Sequence, residues 1–330
     1  MPLRRWLIGT CLGLLAMTGC KDEEPQPPPP TPLGNGTIGS IKPAAHEEAV
    51  FTAPLDAAPN PSGDTVFFTA RNAEGAAGVF KSAASGGGST VLYAGDPISG
   101  PVGITVATDS SMVFVADPGA AVSEDQDLGV IWSLPAAGGT PSVISGTAGY
   151  APRGILLMNE AGADVLYFTG KTPGDNIPGV FKVHASGGTV DTIAKGEPFS
   201  DPHGIAVSRE GLIYVVDSAA EDLTVGSARI IEVKNKVATT LQEGLKVGFP
   251  AGIAMSQDDA AVLVSALDPE TGKDQVVRLD LVSKQQTANS QGINGFDEAA
   301  GLHRAADAEV YAWADSSADG SGTVYVLTPP

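Results

Sequence analysis

Arg153 and His203 occupy the same place in two successive copies of a Pro-x-Gly-apolar motif, Pro152-Arg153-Gly154-Ile155 and Pro202-His203-Gly204-Ile205. An arginine presents a planar fork of donors to a carboxylate, and a histidine changes charge near neutral pH. Brought together, the two could bind a small anion or a carboxylate-bearing ligand. They could equally be structural, with Arg153 paired to a neighbouring loop carboxylate and His203 a satisfied polar residue. The other histidines are His46, His184 and His303. A zinc site needs about three clustered ligands, so His203 and His303 fall one short even if they approach each other. No Gly-x-Ser-x-Gly elbow accompanies them. The residues therefore assign no catalytic group, no metal ligand and no cofactor.

Acidic residues recur between apolar runs: Asp117, Glu124, Asp125 and Asp127; Asp217, Glu221 and Asp222; Asp268 and Glu270; Asp315 and Asp319. Calcium takes six to eight oxygens from such groups, but none of these loops has the alternating Asp/Asn spacing with a Glu at its twelfth position. Calcium is one reading and solvated loops another. Asp117, Asp217 and Asp315 each end an apolar run, where an aspartate accepts backbone N–H groups and caps a turn.

The elements that must position these residues follow from a repeat. Its glycines are Gly103, Gly154, Gly204, Gly252 and Gly301, about 50 residues apart, and a fixed period decides the fold. After each glycine comes a short β-branched and aromatic run: Val113 to Ala116, Leu166 to Thr169, Ile213 to Val216, Val262 to Ser265, Val310 to Ala314. A third run follows at Val130 to Leu134, Val180 to Val183, Arg229 to Val233, Gln275 to Leu279 and Thr323 to Leu327, and then a hairpin. Gly138-Gly139 and Gly187-Gly188 suit the positive φ of a tight turn. A degenerate first copy starts at Pro54-Leu55-Asp56, with Asp56 where the glycine belongs. Four short strands per period is the pattern of a β-propeller blade. The expectation is an all-β, six-bladed propeller of four-stranded antiparallel blades. The last copy lacks its outer strand, which Thr37 to Lys42 can supply, closing the ring from the N-terminus and removing an open edge.

This repeat resembles that of the NHL, YWTD and SMP-30/gluconolactonase group of propellers, from Thr37 to Leu327. The resemblance implies that a catalytic divalent metal, where present, sits in a central channel on Asn, Asp and Glu, several of them just before the repeat glycine. The matching positions here are Leu55, Val102, Arg153, His203, Ala251 and Ala300, none of them a hard oxygen ligand. Two functions follow: a binding platform acting through an acidic loop face, or a metal-dependent lactone or ester hydrolase.

The N-terminus sets the expected location. Arg4 and Arg5 precede an apolar stretch from Trp6 to Met17 and then Thr18-Gly19-Cys20, the layout of a secretory signal too short to span a bilayer. Its end resembles the bacterial lipobox, which implies a lipid on Cys20 as the new N-terminus and, with Lys21 next, the outer membrane. Cys11 leaves with the leader, so the folded body has no cysteine. Lys21 to Asn35 holds Pro25, Pro27 to Pro30 and Pro32, a polyproline spacer of about 3.1 Å per residue, up to roughly 45 Å long. The formal charge is −19, with no basic stripe of the kind nucleic acid requires. The expected organisation is a leader over 1–19, a lipidated tether over 20–36 and a propeller over 37–330. A monomer in the cell envelope is expected, anchored through Cys20 and binding a protein or small molecule, with no nucleic-acid partner.

Overall fold

The chain divides into two units, Met1–Pro32 and Leu33–Pro330. The computed structural model describes residues 38–46, 49–121, 128–218, 228–293 and 299–328, all in the second unit. Cys20 and the tether lie outside the described residues, as do Glu124, Asp125, Asp127, Glu221 and Asp222. Among the described residues no helix is long and apolar enough to cross a membrane, and a single 3₁₀ turn at Ala318–Gly320 interrupts the strands.

An isolated strand, β1 (Ser40–Ala45), precedes the repeats. The first meander is β2 (Phe51–Pro59), β3 (Thr65–Asn72), β4 (Ala77–Ala83) and β5 (Ser89–Ala94); the second is β6 (Gly103–Val106), β7 (Met112–Asp117), β8 (Val130–Pro135) and β9 (Ser142–Val143). The third is β10 (Ile155–Glu160), β11 (Ala163–Lys171), β12 (Pro178–His184) and β13 (Asp191–Lys195), and the fourth β14 (Pro202–Val207), β15 (Ile213–Ser218), β16 (Ala228–Lys234) and β17 (Val237–Leu245). The fifth is β18 (Ile253–Met255), β19 (Ala261–Leu267), β20 (Asp274–Asp280) and β21 (Gln286–Asn289), before the final strands β22 (Ala299–Arg304), β23 (Tyr311–Asp315) and β24 (Thr323–Thr328).

The second to fifth meanders are separate four-stranded antiparallel sheets, while the remaining strands form one eight-stranded sheet in the order β1-β24-β23-β22-β2-β3-β4-β5. Its two halves are joined only by a short parallel pairing of Asp56 with Gly301 and Ala57 with Leu302. The arrangement is all-β and propeller-like. β1 pairs antiparallel with β24, Ser40 opposite Thr328, which is the N-terminal pairing expected, although the strand starts three residues after Thr37. Pro43 is tolerated because β1 is an edge, where a missing N–H costs no ladder bond.

Second strands such as β7 and β15 are buried along almost their whole length, as strands covered on both faces must be. The outer β17 is largely exposed. Apolar residues gather into six clusters among the described residues, each drawing on two successive meanders. One joins Phe114 and Ile131 to Phe168 and Phe181; another joins Val324 and Val326 to Phe51, Phe68 and Phe80. Phe51 and Phe68 meet edge-on at 4.8 Å between centroids, and truncating such a buried ring costs about 3–5 kcal/mol.

The repeat glycines exist for close approach. A Cβ on Gly154 would lie 2.1 Å from the His203 carbonyl oxygen, and one on Gly103 2.0 Å from that of Arg153, so each first strand abuts the next. The glycine pairs at 138–139 and 187–188 do take positive φ, but in loops longer than two residues, running from Pro135 to Ser142 and from His184 to Asp191.

Candidate functional site

The two residues singled out by sequence meet through a third. Arg153 Nη1 donates to Asp201 Oδ1 at 2.5 Å, and His203 Nε2 lies 3.0 Å from Asp201 Oδ2. Nη1 also lies 3.2 Å from His203 Nε2. The ionised Asp201 can only accept, so its contact with His203 is a hydrogen bond when Nε2 carries the proton, and Arg153 Nη1, which can only donate, then lies beside Nε2 without a hydrogen bond to it. His203 is buried and its Nδ1 has no protein partner among the described residues. Burial would raise the Asp201 pKa; the His203 hydrogen bond and the Arg153 charge outweigh it and hold the carboxyl well below the usual range. Arg153 and Asp201 keep 23% and 22% of their side chains exposed, and the ring of Phe249, half exposed, stands edge-on to His203 at 5.0 Å.

The site rests on a scaffold the repeat supplies. The buried Asp217 carboxylate accepts the N–H groups of Ser200 and Asp201 at 2.9 and 3.2 Å, and Arg229 Nη2 reaches it at 3.3 Å. Ser218 N–H donates to the Asp201 carbonyl. Thr169 Oγ1 donates to the His203 carbonyl at 2.6 Å and accepts the Gly154 N–H at 2.9 Å, tying the Arg153 strand to the His203 strand. Burial pushes the Asp217 pKa up, against the Ser200 N–H and Arg229.

Asp217 and its equivalents are turn caps, as the sequence suggested. Asp117 accepts N–H groups from Ser99, Gly100 and Gly119 and the Trp132 indole, and Asp315 accepts from Ser317 and Ala318. All three are wholly buried, which corrects their assignment to an acidic solvent face: a carboxylate that accepts backbone and side-chain donors from its own turn and neighbours turns inward. Asp268 is likewise spent on Glu270 and Thr271 N–H groups, with Glu270 exposed. Among the described residues no three His, Cys, Asp or Glu side chains are placed to hold a metal ion.

His203 and His303 do not pair with each other; each is tied to its own aspartate. His303 Nε2 lies 2.9 Å from Asp56 Oδ2, which also accepts the Ile104 N–H at 2.8 Å, while Oδ1 accepts the Ala57 N–H. A carboxylate thus joins β22, β2 and β6 where other copies join through glycine. The sequence marked Asp56 as a departure from the repeat but gave no sign of its partner, 247 residues away. Val102, Ala251 and Ala300 are buried and apolar and Leu55 is partly buried. His46 Nδ1 lies against the Gly322 carbonyl and Thr323 Oγ1, fastening the first strand to the last.

No protein-family model matches the chain, and no curated protein matches it. Solved structures do. The putative TolB from Agrobacterium tumefaciens is similar at 15% identity and a TM-score of 0.55, over 88% of this chain and 97% of that one. Regucalcin from Agrobacterium tumefaciens, a calcium-binding protein, aligns at 13% identity and 0.56 over 88% and 94%. A gluconolactonase from Xanthomonas campestris aligns at 13% and 0.54 over 91% and 99%. At these identities the likeness is one of fold, and the fold is that of a β-propeller.

Proposed function

We propose that the chain is a cell-envelope lipoprotein, anchored through Cys20 and spaced by residues 20–36, whose body is a six-bladed propeller acting as a binding platform. Three observations support the blade count. The eight-stranded sheet reads as two blades, β2–β5 and β22–β24 completed by β1, touching at one short parallel pair. The six apolar clusters each straddle neighbouring blades. The inner contacts pass from Gly103 to Arg153, Gly154 to His203, Gly204 to Ala251, Gly252 to Leu302 and Gly301 to Asp56, and return through the Asp56 bond to Ile104.

The binding reading is carried by Arg153. It spends Nη1 on Asp201, and its remaining side-chain N–H groups have no partner among the described residues, while the half-exposed ring of Phe249 stands against His203. A partly open guanidinium in a site whose histidine stands against an exposed aromatic ring suits a carboxylate on an apolar ligand. Thermal melts of the protein with small carboxylates and short peptides test this. A ligand at 100 times its Kd stabilises by about 2.7 kcal/mol; the rise should vanish in Arg153→Gln, and a rise of equal size in that variant would refute the site. The anchor is tested by mass spectrometry of the membrane-extracted protein: an N-terminal peptide starting at a diacylated Cys20 is expected, and an unmodified cysteine there would refute it.

The rival hydrolase would need several oxygen ligands converging on the channel. The six positions before or at the repeat glycine offer only Leu55, Val102, Arg153, His203, Ala251 and Ala300. A melt with EDTA and then Ca²⁺, Mg²⁺ or Zn²⁺ separates the readings: a metal-dependent rise that survives replacing Asp125 and Asp127 would favour the hydrolase, and one lost with them would assign the ion to the loops.

A further inference from the structure

His203 leaves one ring nitrogen unaccounted for. Nε2 is taken by Asp201 at 3.0 Å, while Nδ1 is buried and has no partner among the described residues. The whole residue is only 1% exposed. In the neutral ring with its proton on Nε2, Nδ1 is a bare acceptor. A buried polar atom left without a partner destabilises the fold, and native structures leave few of them. The corresponding residue of the second meander, Val102, is buried and apolar and leaves no such atom.

The unpaired atom belongs to an open site. Arg153 places Nη1 3.2 Å from Nε2 of the same ring, and 23% of its side chain is exposed. The ring of Phe249 meets the imidazole edge-on at 5.0 Å and is 50% exposed. Phe249 lies in the connection between β17, which ends at Leu245, and β18, which starts at Ile253, so turning its side chain aside breaks no strand pairing. Ser218 Oγ is directed to Asp201 Oδ2, at 3.4 Å, and not to the ring.

We propose that His203 Nδ1 accepts a hydrogen bond from the ligand whose carboxylate Arg153 holds, so that the site selects a carboxylate bearing a neutral N–H or O–H donor on the adjacent carbon. The inference rests on the carboxylate reading of Arg153. Two kinds of molecule share this chemistry: an N-acylated amino acid, as at a polypeptide C-terminus, and a 2-hydroxy acid. Phe249 turns from the imidazole to the apolar body of the ligand. A free amino acid fits less well, because its ammonium would stand beside the guanidinium and like charges repel at such range. An analogue with the carboxylate but no donor leaves Nδ1 unpaired, which is how a polar site rejects a ligand lacking one group.

The test is calorimetric binding to the full chain in detergent, with probes that share a ring and a carboxylate: N-acetyl-L-phenylalanine, L-3-phenyllactate and 3-phenylpropanoate, which lacks the donor. At least one donor-bearing probe should bind about tenfold or more tightly than 3-phenylpropanoate, and the tighter of the two identifies the source. The preference should vanish in His203→Phe, which keeps an aromatic ring and removes the acceptor; a preference that persists there would overturn the inference. Imidazole ¹⁵N spectra give a readout that needs no variant: the His203 Nδ1 resonance should move with the donor-bearing probe and stay in place with 3-phenylpropanoate. An Nδ1 that already carries a proton in the free protein would also overturn the inference. Equal affinities for all the probes, lost in Arg153→Gln, would overturn the donor and leave the carboxylate site standing. No binding of any probe would overturn both.

Discussion

The loops that lead into the second and fourth meanders are nearly the same loop, and only one carries the Arg153–Asp201–His203 cluster. Gly95-Asp96-Pro97-Ile98-Ser99-Gly100-Pro101-Val102-Gly103 aligns with Gly196-Glu197-Pro198-Phe199-Ser200-Asp201-Pro202-His203-Gly204. In each, a buried aspartate ending the second strand, Asp117 or Asp217, takes two successive backbone N–H groups, from Ser99 and Gly100 or from Ser200 and Asp201. In each an apolar residue, Ile98 or Phe199, plugs the core. The fourth meander differs by Asp201 for Gly100 and His203 for Val102, with Arg153 arriving from the meander before. The second stands without this cluster, so the cluster is an addition to a turn that is already complete.

Removing the scaffold should hurt most. Asp217→Ala strips two backbone donors and leaves Arg229 without its buried counter-charge, and breaking such a pair costs about 3–5 kcal/mol. Asp117→Ala loses only neutral donors, Trp132 among them, and should cost about 1–3 kcal/mol by urea unfolding. Equal losses in the two variants would mean that Arg229 adds nothing.

Converting the site loop into its plain counterpart, Asp201→Gly with His203→Val, should cost less than Asp217→Ala at neutral pH, about 1–2 kcal/mol. The loss should depend on pH. A carboxylate whose folded pKa is depressed stabilises above its unfolded value, about 3.9, and loses that contribution as pH falls toward the folded value. The unfolding free energies of the wild type and the double variant should therefore converge as pH is lowered from 6 toward 3; a constant gap would show that Asp201 acts through packing alone. Asp217 has the opposite sign. Its raised pKa makes its ionisation a cost that sets in as pH rises from its unfolded value through the folded one, so the Asp217→Asn variant should vary less with pH there.

The reciprocal change, Gly100→Asp with Val102→His, should move stability by less than about 1 kcal/mol. The equivalent of Arg153 there is Leu55, so no guanidinium can complete the cluster. A large loss would show that Gly100 is needed for close packing.

Period, glycines and strand composition made the repeat legible, because each is a local pattern that recurs. The aspartates ending second strands were legible as caps for the same reason, but Asp117 and Asp217 not as buried ones, since their burial depends on donors contributed by a loop about 17 residues earlier. Arg153 and His203 could be named from their position in the repeat. Their union through Asp201 depends on two blades packing edge to edge, and the Asp56–His303 joint on the chain closing over almost its full length. Neither leaves a signature within one repeat.

The most direct test of the account is hydrogen exchange at the amides of residues 200 and 201 in the wild type, in Asp217→Ala and in the Asp201→Gly/His203→Val double variant. Protection follows local opening. If the cluster decorates a finished scaffold, both amides remain protected in the double variant and lose protection in Asp217→Ala. Loss of protection in the double variant would make Asp201 and His203 part of the scaffold, and the claim that they were added for binding would fall.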